Sequence, residues 1–150
     1  MKSLEGKTVF ISGAGSGIGE ACAEAFAKAG ARLILCGRTF DKLANLAERL
    51  NKDYDSDTLT MLLDVRDRNL VTAMIDNLAD NWRNIDILIN SAGGALGLDK
   101  IQEGNLDDWD AMIDTNIKGL LYLTRKIVPL MLKNQANGHV VNIGSVAGIH

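Results

Sequence analysis

Cysteine is scarce in these 150 residues, with only Cys22 and Cys36, which stand in different apolar segments and show no metal-like spacing. That pattern suits two small buried hydrophobes in a reducing compartment. Positive charge is not in excess either. Sixteen Lys and Arg face nineteen Asp and Glu, for a net charge of −3, and no basic block or stripe appears. This argues against nucleic acid as a partner. No apolar stretch reaches the ~18 residues of a membrane span. Residues 1–7 (Met-Lys-Ser-Leu-Glu-Gly-Lys) are too polar and too short for a signal peptide, which points to a cytoplasmic protein. Aromatic residues make up only 5%, there is a single proline, and no repeat, low-complexity tract or linker is visible.

What is present is globular in character: 47% hydrophobic and 23% charged residues, with 15 glycines. A chain of this length can bury roughly 70% of the surface it exposes when unfolded, enough for the core of one domain over residues 1–150.

Short β-branched runs alternate with helical patterns. Thr8 to Ser12, Arg32 to Cys36, Thr58 to Leu63, Ile85 to Ile89 and His139 to Ile143 read as five strands. Between them, residues 17–29 form an Ala-rich helix closed by Gly30, and Thr39 caps a second helix carrying Leu43, Leu46, Ala47 and Leu50. Residues 67–82 carry an apolar stripe through Leu70, Met74, Ile75 and Leu78. A long helix begins at Asn105 or Asp107, with Trp109, Met112, Ile113, Ile117, Leu120, Leu121 and Leu123 on more than one face, and Pro129 should kink or interrupt it. Lys118, Arg125, Lys126 and Lys133 fit its solvated face. Strand and helix alternating in this way predict βαβ units: an α/β, Rossmann-type doubly wound parallel sheet of five strands. Ligands of such sheets bind at the carboxyl ends of the strands.

Those ends carry the unusual residues. After strand one comes Ser12-Gly13-Ala14-Gly15-Ser16-Gly17-Ile18-Gly19, where a strand turns into a helix. Free backbone N–H groups and the helix dipole make such a turn a phosphate site. Gly13 allows the tight turn, Gly17 the close approach of a pyrophosphate, and Gly19 close packing. The spacing is G-x-x-x-G-x-G, since position 18 is Ile. Strand two ends in Cys36-Gly37-Arg38-Thr39, where an acidic residue would hold the ribose 2′-OH of NAD. Arg38 instead suits a 2′-phosphate through a charge-assisted contact, which favours NADP(H) over NAD(H).

The glycine spacing resembles that of the short-chain dehydrogenase/reductase family, and motifs further along the chain are similar in the same order, from Gly6-Lys7 to Gly148. By that resemblance Asp64-Val65, which ends strand three, contacts the adenine; from residue type alone Asp64 is equally a helix cap or turn former. Asn90-Ser91-Ala92-Gly93 resembles the segment that lines the cofactor ribose and braces the sheet, with Ser91 in place of the family's second Asn. Ser12 stands for the usual Thr and keeps the hydroxyl. Asn116, which by composition alone would be a solvent-facing helix residue, matches the Asn that anchors a relay water. Ser145, in Asn142-Ile143-Gly144-Ser145-Val146-Ala147-Gly148, matches the catalytic serine that polarises the substrate oxygen.

The family's Tyr-x-x-x-Lys follows that serine by about a dozen residues and is expected beyond His150. Tyr122 and Lys126 have the spacing but precede Ser145, and read as an i,i+4 pair on a helix surface. The chain is therefore expected to be the N-terminal portion of a longer enzyme, inactive as a dehydrogenase alone, with Val140-Val141-Asn142-Ile143 at an open sheet edge. Stretches such as 84–89, 95–98, 112–116 and 142–145 look like bacterial NADP-dependent 3-hydroxy acid dehydrogenases, which act on serine, allo-threonine and related short acids. Such enzymes are commonly homodimers or homotetramers. A 3-oxoacyl-carrier or general carbonyl reductase of the same family, or a non-catalytic NADP(H)-binding regulatory module, are the alternatives. His139 and His150 show no metal-ligand spacing, and no metal site is expected.

Overall fold

The computed structural model describes residues 3–134 and 137–146. Its strands are β1 (Thr8–Ser12), β2 (Arg32–Gly37), β3 (Thr58–Leu62), β4 (Ile87–Asn90) and β5 (His139–Asn142). They form one five-stranded sheet in the order β3-β2-β1-β4-β5, with every pairing parallel. The helices are α1 (Gly17–Lys28), α2 (Phe40–Tyr54), α3 (Arg68–Asp76), α4 (Leu106–Ile113) and α5 (Leu120–Lys133).

Because side chains alternate along a strand, the register sorts the sheet into two faces. Val9, Ile11, Leu33, Leu35 and Ile89 pack with Ala23 and Ala27 of α1 and with Leu43, Leu46 and Leu50 of α2. Phe10, Ile34, Cys36 and Leu88 pack on the other face with Val71 and Ile75 of α3 and Leu123, Ile127 and Met131 of α5. The first three strands step outward in one direction and β4 then returns to the far side of β1. That reversal opens a crevice at the carboxyl ends of β1 and β4.

Four local features depart from the sequence pattern. The expected helix over 67–82 ends at Asp76, followed by a 3₁₀ turn at Asp80–Trp82. Its last carbonyls are taken by side chains: Asn77 Nδ2 donates to Ala73 O at 2.8 Å and Arg83 Nη1 to Asp76 O at 3.0 Å. Of the expected stripe, Ile75 and Leu78 are buried, Met74 is partly buried and Leu70 is exposed, while Val71, outside the stripe, is buried in the core. Thr39 occupies the N-cap position of α2, yet its hydroxyl makes no capping bond. The long helix is broken at Asp114–Gly119, a π-helical segment, and runs on through Pro129. Proline costs that helix one hydrogen bond, but Leu123, Ile127 and Met131 on either side of it are anchored in the core. Lys126 is not free on a solvated face: its ammonium pairs with Asp76 of α3 at 2.5 Å.

Candidate active site

The site is built on the glycine turn between β1 and α1. Gly13 has φ +66°, and a Cβ there would lie 2.8 Å from the Ala92 backbone, so this position takes no side chain. A side chain at Gly19 would collide with the Gly13 carbonyl, which folds α1 tightly against its own turn. Gly17 has φ +55° and open space around it, and Ile18 beside it is exposed. Ser16, the N-cap of α1, makes no side-chain capping bond. The turn therefore presents first-turn N–H groups and an uncommitted hydroxyl outward.

The buried Ser12 hydroxyl ties the turn to β4. Its Oγ accepts the Ser91 and Ala92 N–H groups at 3.2 and 3.1 Å and donates to Ile89 O at 3.4 Å. Ser91 thus takes part through its backbone; its own hydroxyl makes no hydrogen bond among the described residues. Asn90, also buried, donates from Nδ2 to Thr124 Oγ1 of α5 at 3.0 Å and to Asn142 Oδ1 of β5 at 2.9 Å. It braces two strands and a helix at once.

Asn116 is exposed but not idle. Its Oδ1 accepts the Gly94 N–H at 2.9 Å and its Nδ2 donates to Gly94 O at 2.8 Å, closing a two-bond clamp on the loop after β4. A side chain at Gly93 would meet Asn116 Oδ1 at 2.7 Å. The clamp is formed from the π segment, whose Gly119 lies against Val65; a side chain at Gly119 would collide with Val65.

At the end of β3, Arg66 grips Asp64. The guanidinium donates to Oδ2 at 2.6 and 3.1 Å and to Oδ1 at 3.0 Å, and the Arg66 N–H adds a bond to Oδ1 at 3.0 Å. Arg66 holds the Asp64 carboxyl below the usual carboxylate range, with Arg38 contributing more weakly. Val65 is buried, its side chain against Gly119. Arg38 is exposed after β2 and makes no hydrogen bond or ion pair among the described residues. Ser145 is exposed just beyond β5, at the same end of the sheet as the glycine turn. Ala147, Gly148 and His150 lie outside the described residues. No group of three His, Cys, Asp or Glu that could hold a metal is found among the described residues.

Residues 7–150 match the sequence pattern of the family described as short chain dehydrogenase. The chain belongs to that family. The NADP-dependent 3-hydroxy acid dehydrogenase YdfG of Salmonella typhi is 42% identical over 93% of this chain and 54% of its own length. Sulfoacetaldehyde reductase 2 of Chromohalobacter salexigens is 45% identical over 93% of the chain and 55% of its own. Among solved structures, serine dehydrogenase from Escherichia coli superposes with a TM-score of 0.86 at 39% identity, covering 95% of this chain and 64% of that one. The chain spans about half the length of the curated relatives it matches.

Within this short-chain dehydrogenase fold, the structure gathers Ser12, Gly13, Ala14, Ser91, Ala92, Gly93 and Asn116 into one connected cluster. Arg38 and Asp64 stand together at the ends of β2 and β3. Sequence reasoning missed Gly94, Thr124 and Asn142 as partners. Asn142 was detectable, because parallel pairing of β4 with β5 sets it opposite Asn90. Nothing in the sequence marks Thr124, whose role depends on how α5 docks.

Proposed function

We propose that this chain is the NADP(H)-binding portion of an oxidoreductase that transfers a hydride between NADP(H) and a short 3-hydroxy acid or its 3-oxo counterpart. The observation that carries the reading is Arg38, an uncommitted guanidinium at the end of β2, next to a glycine turn that the Ala14 N–H ties to Cys36 O at 3.0 Å and whose Ser16 hydroxyl makes no capping bond. That donor set fits a dinucleotide with an additional phosphate and has no acidic residue to hold a ribose 2′-OH. The names of the relatives support both the cofactor and the substrate class.

When bound, the nicotinamide supplies the hydride chemistry. The residues of this chain do the rest. Gly13 through Gly19 hold the pyrophosphate on a turn that the buried Ser12 ties to β4, Arg38 holds the 2′-phosphate, Asp64 and the Val65 backbone the adenine, and Asn90 through Gly93 form the nicotinamide ribose wall. Ser145 binds the substrate oxygen, and Asn116 fixes the loop beside it while offering a polar edge to a relay water. Tyr122 and Lys126 do not supply the general base in this reading, since Tyr122 packs against the core and Lys126 is paired with Asp76. The exposed row Ile113, Ile117 and Leu121 suits assembly into a homo-oligomer.

The sulfoacetaldehyde reductase relative favours a second reading, reduction of a small carbonyl compound. Offering serine, 3-hydroxypropionate, sulfoacetaldehyde and an acetoacetyl thioester with NADP(H) to the full-length protein separates the two. For the cofactor, titration of the chain with NADPH and NADH by fluorescence should show preference for NADPH, lost in Arg38→Asp. An unchanged preference in that variant would show the assignment to be wrong.

A further inference from the structure

The loop between β4 and α4, together with the first turns of α4, forms a surface with no part in the cofactor reading. An apolar groove of about 260 Å³ lies there, lined by Ala95, Leu96, Gly104, Trp109 and Met112, with Asp99 and Asp108 also in its wall. Its shape is set from the helix. A Cβ at Gly104 would lie 2.4 Å from Trp109 Cζ2, so the indole rests directly on the Gly104 backbone. Met112 Sδ accepts the Leu96 N–H at 3.3 Å, and Gly97 turns the chain with φ +72° beside the Asp108 carboxylate.

The face around the groove combines two properties. Leu96, Leu98, Ile101 and Leu106 are all exposed, Leu98 completely. Among them stand Asp99, Glu103, Asp107, Asp108 and Asp110, and Lys100 is the one basic residue between Ala95 and Met112. This short stretch therefore carries more negative charge than the −3 of the whole chain. Carboxylates in other elements are matched by cations: Asp57 by Arg32, Glu20 and Glu24 by Arg49, Asp64 by Arg66. Those of 95–112 make no ion pair among the described residues. Asp107 and Asp108 complement the start of α4, but the helix gives no such reason for Asp99, Glu103 or Asp110.

Exposed apolar side chains ringed by charge of one sign are the complement of a segment that is both apolar and basic. Arginine suits the groove best, because its stem packs on an aromatic ring while its planar cation meets carboxylates. We propose that this face docks a partner protein through a leucine- and arginine-bearing segment, one arginine entering the groove against Trp109 and meeting Asp99 and Asp108. The inference is independent of the cofactor and substrate readings.

The probe is a short peptide alternating arginine and leucine, titrated into the chain and followed by tryptophan fluorescence. Trp82 is buried under Arg32, so Trp109 should respond, and Trp109→Phe should abolish the signal. Matched peptides with glutamate for arginine, or serine for leucine, should bind about tenfold more weakly. Asp99→Asn with Asp108→Asn should weaken the arginine peptide about tenfold, and more at low salt than at high. Leu98→Ser should weaken it about fivefold, with thermal unfolding of both variants unchanged. Equal binding of the arginine and glutamate peptides, or undiminished binding to both variants, overturns the proposal. So does a serine-for-leucine peptide that binds as well, since the attraction is then charge alone. Trp109 emission that shifts on raising the chain concentration without peptide gives the face to a second copy, against the proposal. Full-length protein that does not bind the peptide gives it to the protein's own remaining residues, with the same consequence.

Discussion

At the scale of single residues, the best-defined interaction in the site is the grip of Arg66 on Asp64. A carboxylate whose pKa is lowered on folding contributes stability above its unfolded value, near 3.9, and that contribution is lost as the pH falls through the lower folded value. Arg66→Met removes the largest cause of the shift. The Asp64 carboxyl should then titrate closer to its ordinary value, as read by carbon NMR, and the acid limb of unfolding should begin at higher pH. A titration identical in both chains would mean that the fork of hydrogen bonds does not form in solution. Arg66 was not visible as a functional neighbour in the sequence, because Asp-x-Arg is a common loop pattern and its closure depends on the turn after β3. Arg38 was legible for the opposite reason: its meaning comes from its place at the end of a strand, and strand ends are marked by where apolar runs stop.

At the scale of elements, the strands and the glycine turn could be read because each local choice agrees with the whole. Apolar runs stop at a glycine or a polar residue, and the helices that follow turn an apolar stripe to the sheet, alanines in α1 and leucines in α2. The π segment could not. Its apolar residues continue the helical pattern of α4, and Pro129, which should have disrupted the helix, is absorbed by packing on both sides. What forces the extra residue into Asp114–Gly119 is tertiary: Asn116 must reach Gly94, and Gly119 must let the segment close on Val65. Gly119→Ala tests this directly. The new methyl group has no room, so the segment must move away from Val65, at a cost of about 1–3 kcal/mol by chemical denaturation. The Asn116 clamp should loosen with it, and the Gly94 amide should lose protection from hydrogen exchange. A variant of unchanged stability with a protected Gly94 amide would refute the coupling.

At the scale of the whole molecule, the two edges of the sheet are not equivalent. β3 is backed by α2 and, facing the opposite helix layer, Met61 is buried in the core. All four residues of β5 are exposed, with Val140 and Val141 each 41% accessible. Successive side chains point to opposite faces, so neither face of β5 is covered, and its outer hydrogen-bonding edge has no neighbour in the five-stranded order. An apolar strand open on both faces and along one edge is a template for another strand. The 150-residue chain should therefore associate with rising concentration in sedimentation velocity. Val141→Lys should suppress that association, because a charge on an edge strand opposes pairing. The competing surface is the exposed row on α4, the π segment and α5, which extends towards Leu132, itself 72% accessible. Leu132→Lys loads that row with charge and leaves β5 untouched. Association abolished by Val141→Lys and retained in Leu132→Lys assigns it to the strand edge; the reverse pattern assigns it to the helices and defeats the prediction.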